Sequence, residues 1–394
     1  MQKRDLNRLA ALLQGTYYPI NCVSLAFFVP VFQTFGFSKF QIGMIMMLGY
    51  ISTTLMQPVW GFLCDKFSSP KRLVLTASSV SVAMYFLLIF SDGAAVPVCI
   101  AVVGAYATLQ PMGSIIDSWL SKLMLEGYQL NYGVTRSSGS LTYAIVAFFY
   151  GFVLDRFGIR ISPFIMLALY LLFISIVLRM PNPEAAPLRV KISLTGGVRY
   201  LAAQKAYLVF LAAYFLTYIA NAAIGTFLSV LVMEKGGTQA HVGMLLFVGA
   251  MVEMPTMLLF HKFRRRFPIR TEYLLIISMF FYGIKSLLLG LAPSLAFIFI
   301  ANITQALAYA LFLPASIYYL METIDKKYLS TAQLFCSAIG ASLCAIIFNP
   351  VCGALAERMG TQPMLRFVSI FAFAGAALMS VTLFIRRDTA VEAS

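Results

Sequence analysis

The chain has 394 residues, of which 60% are hydrophobic and 11% charged, with a net charge of +14 and a mean hydropathy of +0.85. A soluble domain carries roughly 45–50% apolar and about 25% charged residues. This chain therefore lacks the polar surface to fold in water, and a large soluble protein with a greasy core is excluded.

The apolar runs, taken in chain order, have the length that a bilayer-crossing helix needs, about 20 residues. They centre on 10–32, 40–63, 72–91, 96–120, 136–155 and 161–180, and after a polar stretch on 205–232, 241–261, 272–291, 294–320, 331–353 and 364–385. Backbone groups cannot stay unsatisfied in hydrocarbon, so these twelve runs predict an all-α integral membrane protein. Lys3, Arg4 and Arg8 precede the first run, which is longer than a signal-peptide core and lacks a small-x-small cleavage site. It is expected to stay as the first membrane helix.

Alternating the loops between two sides puts 22 of the 29 Lys and Arg residues on the side of the N-terminus and six on the other, with Lys285 inside the membrane. The positive-inside rule then predicts that both termini are cytoplasmic. The basic residues are dispersed over short loops facing anionic lipid, so the net charge calls for no nucleic-acid partner. Cys22, Cys64, Cys99, Cys336, Cys344 and Cys352 lie in or beside apolar runs without C-x-x-C spacing, and His241 and His261 form no ligand cluster. Neither a metal site, a disulfide framework nor a cofactor is expected.

Pro181, Pro183 and Pro187 begin the one long polar stretch, which divides the chain into an N-terminal bundle (1–180), a cytoplasmic linker (181–204) and a C-terminal bundle (205–394). The halves echo one another. Gly151-Phe-Val-Leu-Asp155-Arg156-Phe-Gly158 closes the fifth run, and Gly353-Ala-Leu-Ala-Glu357-Arg358-Met-Gly360 closes the eleventh. Asp65-Lys66-Phe67 after the second run is likewise echoed by His261-Lys262-Phe263 after the eighth. Two six-helix pseudo-repeats are an architecture of secondary transporters, with the solute site between them near the membrane midplane.

Gly61, Leu63, Asp65, Lys66, Lys71 and Arg72 follow the loop signature of the major facilitator superfamily, with Ser68 where that family usually has glycine. The chain resembles that family over its whole length, and the resemblance implies that Gly61, Asp65, Lys66, Lys71 and Arg72 form a conformational latch. Within the family it is similar to the proton-linked permeases for lactose, nucleosides and phenylpropionate. Asn131-Tyr132-Gly133-Val-Thr-Arg136-Ser-Ser-Gly139 opens the fifth run as in those proteins, and Asp117 lies 19 residues upstream of Arg136. The resemblance makes Asp117 and Arg136 a candidate substrate-binding pair. Trp119 beside them offers a stacking surface or an interfacial anchor.

Glu253 and Lys285 sit inside apolar runs. An ionised side chain at the membrane centre costs about 2.5–3.5 kcal/mol or more, so such residues face the bundle interior and find each other. Glu253 and Lys285 on consecutive antiparallel helices are expected to pair, as an acid and a base at similar positions do in the lactose permease. Glu253 is the leading candidate for proton coupling, with Lys285 as its coupling partner. The tenth helix has no His where that permease has one, and its Glu322 stands at the helix end; Glu322 is a further coupling candidate. Tyr17, Asn21, Gln110, Tyr214, Tyr218, Asn221, Asn302 and Gln305 are candidate solute contacts, with Gln14, Tyr18 and Tyr106 as further polar side chains on the same helices. Several share a face four residues apart.

These features predict a monomeric secondary transporter of a bacterial inner membrane. It would import a small polar organic solute (a sugar, nucleoside or organic acid) by proton symport and alternating access. A proton-coupled drug or metabolite efflux antiporter is the alternative on the same fold. The glycine- and proline-rich motif that marks many exporters at the end of helix five is not reproduced at 151–158. An intramembrane enzyme or receptor is the remote alternative, because no HExxH, G-x-S-x-G or paired membrane aspartates occur.

Overall fold

The computed structural model describes residues 3–66, 69–126, 128, 130–183, 194–267 and 269–385. Among them twelve helices are long and apolar enough to cross a membrane. In chain order these are α1 (Leu6–Thr34), α2 (Lys39–Cys64), α3 (Pro70–Phe90), α4 (Ala95–Met124), α5 (Gly133–Phe157) and α6 (Ile159–Arg179), followed by α7 (Lys205–Glu234), α8 (Gln239–Arg266), α9 (Thr271–Gly290), α10 (Leu295–Thr323), α11 (Thr331–Met359) and α12 (Thr361–Ile385). The apolar runs thus located every span. Inside the polar linker the structure adds a short helix, Leu194–Ala203.

The chain forms two compact units: Met1–Arg189 with Gly237–Phe247, and Val190–Gly236 with Val248–Ser394. In unit 1, α1 packs on α5 and α6, and α4 on α2 and α3. In unit 2, α12 packs on α7 and α9, with α10 and α11 beside them. Lipid gives no hydrophobic drive for helices to meet, so close packing and interhelical hydrogen bonds hold them together. In unit 1 Trp60 donates to the Ala107 carbonyl across 2.7 Å, Thr53 to Tyr106 across 2.9 Å, and Ser138 to Ala11 across 2.7 Å. Trp119 is fully buried and donates to the Pro181 carbonyl across 2.9 Å. It is a tie between α4 and the end of α6, with no ring face left for a solute.

The echoed motifs have a backbone explanation. Gly158 and Gly360 cap α5 and α11 with φ of 72° and 96°, a region that L side chains rarely enter, and donate back to Leu154 and Ala356. A third echo, not picked out in the sequence, ends α1 and α7: Gly36 and Gly236, 200 residues apart, have φ of 79° and 76°. Ser38 and Gln41 then open α2 with reciprocal hydrogen bonds of 2.9 and 3.3 Å, and Thr238 with His241 opens α8 through a 3.1 Å bond. His241 is accordingly a helix-capping residue.

Asp155 gives the repeated motif a further contact inside unit 1. Its two carboxylate oxygens accept the backbone N–H groups of Gln239 and Ala240, each across 2.9 Å, at the start of α8. A Cβ at Gly151 would fall 2.4 Å from the Gln239 carbonyl oxygen, and one at Gly243 would fall 2.2 Å from that of Ala147. α5 and the first turns of α8 therefore meet backbone to backbone, with a carboxylate on the positive end of the helix dipole.

Candidate functional site

Each unit contains a polar cluster enclosed by its own helices. The unit 1 cluster joins α1, α4 and α5. Gln14, 1% exposed, donates from Nε2 to Asp117 Oδ1 across 2.8 Å. The Arg136 guanidinium lies over the Tyr18 ring, 4.5 Å from its centroid, and its Nη1 is buried with no hydrogen-bond partner. Asp117 and Arg136, expected to pair, form no ion pair within 4 Å. Gln14 and Tyr18, one turn apart on α1, each engage one of the two charges instead. Tyr17 is buried and donates to the Leu109 carbonyl across 2.9 Å, close to Gly113. Asn21 is half-buried immediately before a π-helical turn, Cys22–Ala26. Tyr106 is buried against Met46, and Gln110, two turns before Asp117 on α4, is exposed.

In unit 2 the three residues Glu253, Gln305 and Lys285 come together from α8, α10 and α9. Gln305 Nε2 donates to Glu253 Oε1 across 2.6 Å, and Lys285 Nζ donates to Gln305 Oε1. Lys285 is only 3% exposed. The expected pair is thus bridged by an amide, and Gln305, predicted as a solute contact, sits between the two charges. Two backbone features explain the arrangement. α10 breaks into a 3-10 turn, Thr304–Ala306, at Gln305, and Pro255 in α8 denies the Met251 carbonyl its usual donor next to Glu253. Glu253 is 14 residues from the start of α8, about 21 Å along the helix, which places it in mid-span. Asn302 is buried and faces Gly249, one turn from Glu253.

An aromatic group adjoins this cluster. Tyr214 and Tyr218 stack with centroids 4.5 Å apart and planes 9° from parallel, and both rings contact Phe312. Tyr282 meets Phe312 edge-on and donates to Asn221 Oδ1 across 3.3 Å. Tyr282 was legible as a partner of Lys285, three residues away on one helix face. Phe312 carried no sequence signal.

Glu322 is elsewhere. It binds Arg264 and accepts from Thr271 across 2.9 and 3.0 Å, while Arg264 stacks on Tyr318 at 4.4 Å. This cluster ties the facing ends of α8, α9 and α10, with Arg270 pairing the buried Glu272 at 3.3 Å beside it. The residues expected to form the latch are partly described. Lys71 donates to the Leu178 carbonyl across 3.0 Å, Arg72 is exposed, and Gly61 has open space beyond its Cα. The side chains of Asp65 and Lys66 lie outside the described residues. No group of three metal-ligating side chains occurs among the described residues.

Comparison with known proteins agrees with this architecture. The chain is 26% identical over 349 residues to the uncharacterised transporter YwbF of Bacillus subtilis (strain 168), covering 86% of this chain and 85% of that one. It is 26% identical over 352 residues to a maltose permease of Geobacillus stearothermophilus, covering 89% and 87%. Its fold matches the nucleoside transporter NupG with a TM-score of 0.80 at 14% identity, over 97% of this chain and 99% of that one. An inward-facing bacterial homologue of the lysosomal transporter Spinster matches with a TM-score of 0.70 at 14% identity, over 96% of each chain. Residues 16–367 match the MFS_1 like family, and the chain belongs to it: it is a multi-pass, twelve-helix secondary transporter of the major facilitator fold, and not an enzyme.

Proposed function

We propose that this transporter imports a small polar organic solute by proton symport across a bacterial cytoplasmic membrane, with Glu253 as the coupling carboxylate. The observation that carries the reading is the Glu253–Gln305–Lys285 bridge in mid-span. A buried carboxylate whose cationic partner is reached only through a neutral amide is not locked in a direct ion pair, so its proton affinity can change as the bridge forms and breaks during transport. Ionisable groups inside membrane helices mark substrate and ion pathways and proton relays.

Asp117 and Arg136, with Tyr17 and Asn21 beside them, are the proposed solute contacts of unit 1; within unit 2, Asn302, Asn221 and the Tyr214–Tyr218 stack are the proposed contacts. Gln305 belongs with the coupling group, and Gln110, exposed on α4, stays among the proposed solute contacts. Glu322 is assigned to holding helix ends together with Arg264 and Thr271. Lys71 and Arg72, with Gly61, Asp65 and Lys66, are proposed to act as the conformational latch, and the transporter is proposed to work as a monomer. The maltose and nucleoside specificities of the relatives make sugars and nucleosides the first solutes to try.

The test adds maltose, a nucleoside or an aromatic acid to lightly buffered vesicles and follows external pH. Alkalinisation with one of them supports symport. Silence with all three, and a response to lipophilic cations instead, would identify an efflux antiporter.

A further inference from the structure

We propose that Gln14 and Tyr18 are positioning residues that keep Asp117 and Arg136 apart as two separate charges, so that the solute, and not a salt bridge, satisfies both. The inference rests on the reading of Asp117 and Arg136 as solute contacts and says how that site is kept open.

Opposite charges set among the helices of one bundle pair with each other unless other groups hold them. Here α1 supplies both holding groups. Gln14 and Tyr18 are four residues apart and share one face of the helix. The Gln14 amide donates to Asp117 Oδ1 across 2.8 Å, and being 1% exposed it is fixed in place. Tyr18 takes the other charge on its ring face, with the guanidinium carbon 4.5 Å from the centroid. The ring is itself held on two sides. Tyr17 packs against it edge-on at 5.0 Å, and Gly139 on α5 approaches so closely that a Cβ there would lie 2.3 Å from the ring.

The consequence is a site left partly unsatisfied. Arg136 Nη1 is buried without a hydrogen-bond partner, and a stranded guanidinium donor is costly. Asp117 Oδ2 accepts no hydrogen bond from any described residue. The ligand chemistry that completes the site is a solute with a donor for Asp117 Oδ2 next to an acceptor for Arg136 Nη1, as neighbouring hydroxyl groups provide. A direct Asp117–Arg136 bridge would have to be broken on each binding event. Charges already held apart bind without that cost.

A double-mutant cycle on thermal stability tests the proposal with no solute present. Melting temperatures of the purified full-length protein in detergent are compared for wild type, Asp117→Asn, Arg136→Gln and the double variant, and then for the same set carrying Gln14→Met. In the wild-type background the departure from additivity reads the coupling of two charges held apart. In the Gln14→Met background Asp117 is released onto Arg136, and that departure should grow by about 2 °C or more. A departure no larger in the Gln14→Met background than in the wild type would overturn the proposal.

Should Gln14→Met fail to fold, Gln14→Glu keeps the size of the side chain and sets a second carboxylate against Asp117. Its melting temperature should fall and recover on adding Asp117→Asn; a fall that Asp117→Asn does not relieve would equally overturn the proposal. Failure of the solute-contact reading is recognised separately, by Arg136→Gln vesicles that transport as the wild type does.

Discussion

Gln305 donates its amide hydrogen to the Glu253 carboxylate across 2.6 Å while accepting one from Lys285 on its other side, so a single neutral side chain links the two membrane charges. Removing one charge strands the other, whereas removing both leaves a neutral site. Lys285→Met should therefore destabilise the protein by about 3–5 kcal/mol, and Glu253→Gln combined with Lys285→Met should recover most of that. Unfolding in detergent measures both. A double variant as unstable as Lys285→Met alone would show that the two charges do not share one site.

The carboxylate of Asp155 caps the first turn of α8 by accepting from Gln239 and Ala240. Asp155→Ala is expected to cost about 1 kcal/mol, the usual value of an N-cap. Gly243→Val should cost more, because even its Cβ would fall 2.2 Å from the Ala147 carbonyl oxygen and α5 would have to move away. Expression level and melting temperature rank the two. The reverse order would mean that the backbone contact is looser than the structure has it.

Glu322 separates a structural carboxylate from a coupling one. Its oxygens are taken up by Arg264 and Thr271. Glu322→Gln keeps the acceptor for Thr271 and loses the charge opposite Arg264. Solute-driven proton movement should persist, with melting lowered by no more than a few degrees, as for a partly exposed ion pair. Abolished proton movement in this variant would return Glu322 to the coupling group.

Much of the fold was legible because lipid imposes it. Each span needs a long apolar run, so the twelve runs already located α1 to α12. The glycine caps at Gly158 and Gly360 were visible as a repeat, since a left-handed turn leaves a fixed residue behind. The matching pair Gly36 and Gly236 was equally available, since Ser38, Ile42 and Gly43 recur as Thr238, Val242 and Gly243 at the same 200-residue offset. Mid-membrane charges stand out in an apolar run, and Glu253 and Lys285 were found that way. What joins them was not legible. Nothing in sequence spacing says that α10 breaks at Thr304–Ala306 and turns Gln305 between them. The same holds for Gln14, whose capture of Asp117 across 103 residues depends on how α1 and α4 pack.

The most direct test of the account is Glu253→Gln in vesicles loaded with the transported solute. If Glu253 carries the coupling proton, the variant should still exchange labelled solute for unlabelled solute across the membrane. It should fail to accumulate solute in response to an imposed proton gradient, and it should give no external alkalinisation. Proton-driven accumulation at the wild-type level in Glu253→Gln would contradict the account and leave Glu253 a structural partner of Gln305 and Lys285.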